Sequence, residues 1–152
     1  MKKPATVSPL DTHVGYWLRY VSNQVSHAFS LKLAAYDVTV AEWVLLRELY
    51  DKDDAPSALA ARLGMTRGAI SKLTDRLAEK CLAQRTADAA DRRYQSLALT
   101  VDGRKLVPRL AALADENDAE FFGHLSPADR ANIVAAMQGI VRRHDFITIP
   151  TS

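Results

Sequence analysis

Cysteine is all but absent from this chain: Cys81 is the single thiol in 152 residues. One thiol excludes an internal disulfide. The amino terminus (Met1, Lys2, Lys3, Pro4) carries charge with no apolar run behind it, so no signal peptide is expected. Together these point to the reducing cytoplasm. Long hydrophobic runs are missing too. No stretch approaches the roughly 18 uncharged apolar residues of a membrane helix, so no membrane partner is expected. His13, His27, His124 and His144 stand far apart and lack metal-ligand spacing to the cysteine. Glycine is sparse and forms no phosphate-binding loop; Gly64, Gly68 and Gly103 read as a turn and two helix starts. The acid pairs Asp53/Asp54 and Asp115/Asp118 read as solvated charge. Hence no cofactor, no metal and no enzymatic activity are expected. Net charge, at +2, is too small to name a nucleic-acid partner.

What is present is ordinary for a globular chain: 48% hydrophobic and 25% charged residues, a length that suits one domain over residues 1–152. Apolar residues at Val14, Trp17, Leu18, Val21, Val25, Ala28 and Phe29 predict a helix from Asp11. A second is expected from Thr39 as cap, with Glu42 completing a capping box, through Leu49. Pro56 opens a short helix ending near Gly64, and Thr66 caps another reaching about Lys80. Helices over roughly 102–122 and 127–144 finish the pattern, the last opened by Ser126, Pro127 and Asp129.

Residues 59–103 carry the functional signal. Leu59, Ala60, Leu63, Gly64, Met65, Ile70, Leu73 and Leu77 have the spacing of a helix-turn-helix: apolar shared core, small residue at the crossing, glycine at the turn. A basic β-hairpin follows. Arg85 to Thr86 and Tyr94 to Leu99 supply strands, and Asp88 to Arg93 the loop. The fold class expected is mainly α with a small β-wing, a winged helix-turn-helix over about 39–100 with its wing at about 84–99. With Thr66 as cap and Gly68 allowing close approach, Arg67 and Ser71 would lie over base edges, Lys72 and Arg76 over phosphate. Arg92 and Arg93, with Asp91 to orient one of them, suit a narrow minor groove. Charge distribution agrees: residues 62–93 hold eight basic and four acidic side chains, net +4, leaving −2 for the remainder. The partner expected is double-stranded DNA.

The run Asp91-Arg92-Arg93-Tyr94-Gln95-Ser96-Leu97-Ala98-Leu99-Thr100, followed by Gly103, resembles the wing signature of the MarR family of transcriptional regulators. The stretch Leu77-Ala78-Glu79-Lys80-Cys81-Leu82, with Arg85, resembles that family's link from recognition helix to wing. The resemblance implies a homodimer with intertwined terminal helices, here about 10–36 and 102–149, and a ligand-released repressor on a pseudo-palindromic operator. It also implies a cleft for a small aromatic or lipophilic effector, for which His13, Tyr16, Trp17, Tyr20, Trp43 and Arg47 are candidates. Against that, each tryptophan falls on an apolar stripe, which favours core packing. Family members usually place glycine where this chain has Cys81. A left-handed cap there strains any residue with a Cβ.

The dimer has support from the residues themselves. Phe121, Phe122, Leu125, Ile133, Ala136, Met137, Ile140 and Val141, then Phe146, Ile147 and Ile149, exceed what a core in residues 40–100 needs. Two other readings stand beside the DNA-binding one. A cysteine next to Lys80 invites a thiol redox sensor, since nearby positive charge favours thiolate; winged helices also serve as protein-interaction modules.

Overall fold

Four of the six described α-helices start where a side-chain oxygen satisfies a free backbone N–H. The computed structural model describes residues 5–87 and 95–144. After a 3-10 turn at Leu10–Thr12 come α1 (Val14–Ala34), α2 (Val40–Asp51), α3 (Pro56–Leu63) and α4 (Arg67–Glu79). Strands β1 (Ala83–Ala87) and β2 (Gln95–Leu99), then α5 (Val101–Phe122) and α6 (Pro127–Arg143), complete the order. Thr39 Oγ1 accepts from the Glu42 N–H and Glu42 Oε2 from the Thr39 N–H, both at 3.1 Å, so the capping box forms as read. Thr66, Thr100 and Ser126 accept from Ala69, Gly103 and Asp129 at 3.0, 3.0 and 3.1 Å. Each such cap stabilises its helix by about 1 kcal/mol. The first helix begins later than expected: His13 is extended (φ −89, ψ 123) and separates the 3-10 turn from α1.

The strands pair antiparallel, from Ala83 opposite Leu99 to Ala87 opposite Gln95. β1 is longer than the Arg85–Thr86 expected because the ladder starts as soon as α4 has ended. Asp54 adds a bridge on the other edge of β2: its N–H donates to Leu97 O at 3.2 Å and its carbonyl accepts from Leu97 N at 2.8 Å. Asp54 thus ties the segment between α2 and α3 to the wing.

Leu45, Leu46, Leu49, Leu59, Ile70, Leu77 and Leu97 form the centre of the core. It reaches beyond residues 40–100, because Phe29 and Leu33 of α1 and Val107 and Leu110 of α5 are buried with it. A polar tie also joins these two helices. Asn117 is buried; its Nδ2 donates to Val25 O at 3.2 Å while its Oδ1 accepts from Lys32 Nζ at 3.1 Å. Lys32 Nζ continues to Glu120 Oε2 at 2.7 Å. A buried amide so fully bonded fixes the sliding register of α1 against α5. The outer ends behave differently. Val14, Trp17, Leu18 and Val21 of α1 are exposed, and α6 buries no residue at all.

Candidate nucleic-acid interface

α3 and α4 cross where Ala60 is buried, and the turn between them passes through Gly64 at φ 64. Met65 then donates to Ala60 O at 3.0 Å, closing the turn. α4 sends Ile70, Leu73, Thr74 and Leu77 into the core. Its other face exposes Arg67, Gly68, Ser71, Lys72, Asp75 and Arg76, while Thr66 is half-buried at the cap. Gly68 has open space around it, with only Thr66 Oγ1 at 3.9 Å from where a Cβ would sit. Six of the nine residues read as DNA-facing are therefore on one face of one helix and its cap. Asp91, Arg92 and Arg93 lie outside the described residues.

Several of the cations in residues 62–93 are paired within the chain. Arg62 is committed to Glu48 at 3.0 Å and Asp54 at 2.6 Å, Lys80 to Glu42 at 2.9 Å, and Arg85 to Asp75 at 2.8 Å. Among the described residues, Arg67, Lys72 and Arg76 form no ion pair. Among the described residues of 62–93, the cations left without an ionic partner are thus those of α4. Asp54 and Asp118 are not merely solvated charge either. Arg62 donates to Asp54, whose carboxyl it holds below the usual value, helped by the Ala55 N–H. Asp118 pairs with Arg130 of α6.

The end of α4 and the base of the wing are one hydrogen-bonded unit. Leu82 N–H donates to Leu77 O at 2.9 Å and Cys81 N–H to Ala78 O at 3.0 Å, the two bonds of a Schellman cap. Cys81 takes the left-handed conformation, φ 58, so the helix ends as glycine would end it and the chain bears the strain. Thr100 Oγ1 donates to Cys81 O at 2.7 Å and Thr100 N–H to Leu82 O at 3.1 Å. A Cβ on Gly103 would meet Leu82 O at 2.0 Å. Leu-Thr-x-x-Gly is therefore the sequence trace of α5 starting directly against the end of α4.

Lys80 reaches back in the same way. Its ammonium donates to Glu42 Oε2 and, at 2.5 Å, to the carbonyl of Asp37, tying α4 to the α1–α2 turn. Glu42 is only 1% exposed, so this pairing neutralises a buried carboxylate. Cys81 itself is exposed. The ionic partners of Lys80, Arg85 and Arg62 escaped the sequence reading because they lie 38, 10 and 8 to 14 residues away on other elements. No periodic signal marks such pairs.

The effector candidates fall into two groups. Trp17 Nε1 donates to Asp11 O at 2.7 Å, Tyr16 stacks edge-on against Trp17 at 5.1 Å, and Tyr20 lies 6.4 Å from Tyr16. His13 Nδ1 is 3.1 Å from Pro9 O. Trp43 instead meets Phe29 at 6.2 Å, and Arg47 pairs with Asp51 at 2.9 Å beside Tyr50. Phe29 lies twelve residues beyond Trp17, about 18 Å along the helix. Core packing accounts for the half-buried Trp43 but not for Trp17, which is 51% exposed. Arg47 and Tyr50 also line a groove of about 350 Å³ against Val107, Pro108 and Ala111 of α5. Among the described residues no group of His, Cys, Asp or Glu is placed to hold a metal ion, and no helix is long and apolar enough to cross a membrane.

Comparison with known proteins agrees with this geometry. A MarR-family model matches residues 36–93. The transcriptional regulator HosA of Escherichia coli O157:H7 is 28% identical over 95 residues, 62% of this chain and 70% of HosA. Bordetella bronchiseptica BpsR, whose DNA binding is regulated by 6-hydroxynicotinic acid, superposes with TM-score 0.81 at 26% identity, over 89% of this chain and 97% of BpsR. Staphylococcus aureus MepR, in its complex with DNA, gives TM-score 0.79 at 25% identity, over 87% and 98%. Helix-turn-helix, wing base and terminal helices thus recur together, and the chain is similar to winged helix-turn-helix transcriptional regulators of the MarR family, whose family model matches its central region.

Proposed function

We propose that residues 1–152 form one domain that acts in the cytoplasm as a homodimeric, ligand-responsive repressor on a pseudo-palindromic DNA operator. The observation that carries this is the exposed face of α4: Arg67, Lys72 and Arg76 unpaired among the described residues, with Ser71 and Gly68 between them, on a helix whose other face is core. Cations with no internal partner are available to phosphate and to guanine edges. Arg67 and Ser71 read bases, Thr66 caps the helix and Gly68 lets it approach closely, Lys72 and Arg76 hold phosphate, and Arg93, with Arg92 and Asp91, serves the flanking minor groove.

Dimerisation places two such helices one turn of DNA apart, about 34 Å. The exposed Trp17, Leu18 and Val21 of α1 and the exposed Ile133, Met137 and Ile140 of α6 supply the apolar faces that a second chain would bury. An aromatic or lipophilic effector then acts between these helices and the winged domain. Because His13, Trp17 and Tyr20 stand apart from Trp43 and Arg47 within one chain, an effector touching both groups requires the partner chain to close the cleft. Its binding changes the spacing of the two α4 helices and releases DNA.

The test starts from genomic fragments retained by the purified protein, which yield an operator. On that duplex Arg93→Ala weakens binding across sequences. Arg67→Ala also relaxes base preference, by about 1 to 3 kcal/mol if it reads guanine. Equal affinities for wild type and both variants at moderate salt contradict the assignment.

A further inference from the structure

An aspartate on a DNA-facing helix is an anomaly. Asp75 is 62% exposed at its side chain and lies one residue from Arg76 and three from Lys72, on the face that meets phosphate. A bare carboxylate there repels the duplex. The structure supplies an answer from the wing. Arg85 stands opposite Leu97 in the ladder, and directly opposed residues share a sheet face. Leu97 is buried beneath the wing, so Arg85 lies on the side of the wing that faces α4, with its side chain still 35% exposed. Its Nη2 lies 2.8 Å from Asp75 Oδ1 and 3.4 Å from both the carbonyl and the hydroxyl oxygen of Ser71.

From this placement we infer that Arg85 is a positioning residue for DNA binding: it neutralises Asp75 and pins the first wing strand to the recognition helix, without itself holding phosphate. Ser71, proposed as a base contact, is held from the same side. Guanidinium suits the task because its planar fork reaches a carboxylate and a helix carbonyl at once. The inference rests on the proposed DNA-binding role of α4 and adds a division of labour: of the cations near that face, Arg85 is spent internally. It makes the charge of Asp75, not that of Arg85, the quantity that matters to the duplex.

Anisotropy titration of a labelled mixed-sequence duplex over a range of salt concentrations tests this with R85M, D75N and D75N/R85M. R85M uncovers the carboxylate and weakens binding about tenfold. D75N/R85M, which removes both charges, recovers to within about threefold of wild type with the wild-type salt slope. A merely structural loss of the wing contact cannot be rescued by also removing Asp75. If the double variant stays as weak as R85M and its salt slope drops by about one, Arg85 is a phosphate ligand and the inference is wrong. If R85M binds like wild type, the inference is equally wrong. Failure of the wild type to bind any duplex would instead remove the DNA-binding role beneath it, a separate and visible result.

Discussion

Cys81 shows how much one Cβ costs when the backbone is dictated by its neighbours. Two Schellman bonds below it and Thr100 Oγ1 above it hold its φ at 58, whichever residue occupies the position. Left-handed backbone costs a residue with a side chain about 1 to 2 kcal/mol, and glycine gives part of that back through a freer unfolded chain. Cys81→Gly is therefore expected to stabilise the fold by about 0.5 to 1 kcal/mol, read as a higher urea midpoint. DNA affinity should not change. A lower midpoint would mean the thiol makes a contact worth more than the strain. Gly103 is the opposite case, where the constraint is space: with Leu82 O 2.0 Å from a notional Cβ, no side chain fits.

At the level of elements, the wing is held at its base by pairs that cross the sequence. Asp54 is the node, bonded to Leu97 through its backbone and to Arg62 and Lys52 through its carboxylate. The Arg62 hydrogen bond, then the Ala55 N–H, hold its carboxyl below 3.8. A carboxyl lowered on folding stabilises the native state at every pH above its unfolded value, and that contribution disappears as pH falls through the folded value. Wild type should therefore lose stability on acidification below about pH 4 more steeply than Asp54→Asn, which has no proton to take up there. Thermal melts at neutral and acid pH check this. Parallel acid limbs for the two proteins would show that the Asp54–Arg62 contact contributes nothing on folding. Lys80 plays a similar part for α4, joining its end to Glu42 and the Asp37 carbonyl, so the recognition helix is braced at both the α1–α2 turn and the wing.

Over the whole molecule, the winged centre is closed on itself while the outer ends are not. α6 runs seventeen residues with none buried, and Ile133, Val134, Met137, Ile140 and Val141 remain 42 to 58% exposed. If these faces meet in a dimer, Met137→Glu puts a charge into that contact, at about 3 kcal/mol or more. The variant should sediment as a monomer, keep its helical circular dichroism and lose most operator affinity. A dimer that persists with unchanged affinity would place the contact elsewhere.

Local rules were enough for the elements and for the face of α4. Thr39, Thr66 and Ser126 cap helices because a short hydroxyl reaches an N–H three residues on, and Gly64 turns because it has no Cβ. Helical spacing alone put Arg67, Ser71, Lys72 and Arg76 together opposite Ile70, Leu73 and Leu77. Charge pairing was different. Whether Arg62, Lys80 and Arg85 stood free for a partner or were already spent depended on Asp54, Glu42 and Asp75, brought near only by packing. Trp17 and Trp43 likewise sit on equally apolar stripes, yet only Trp43 found a neighbouring helix to cover it in this chain. Periodicity encodes which way a side chain points along its own helix. What stands opposite it is a long-range contact, and that belongs to the folded chain.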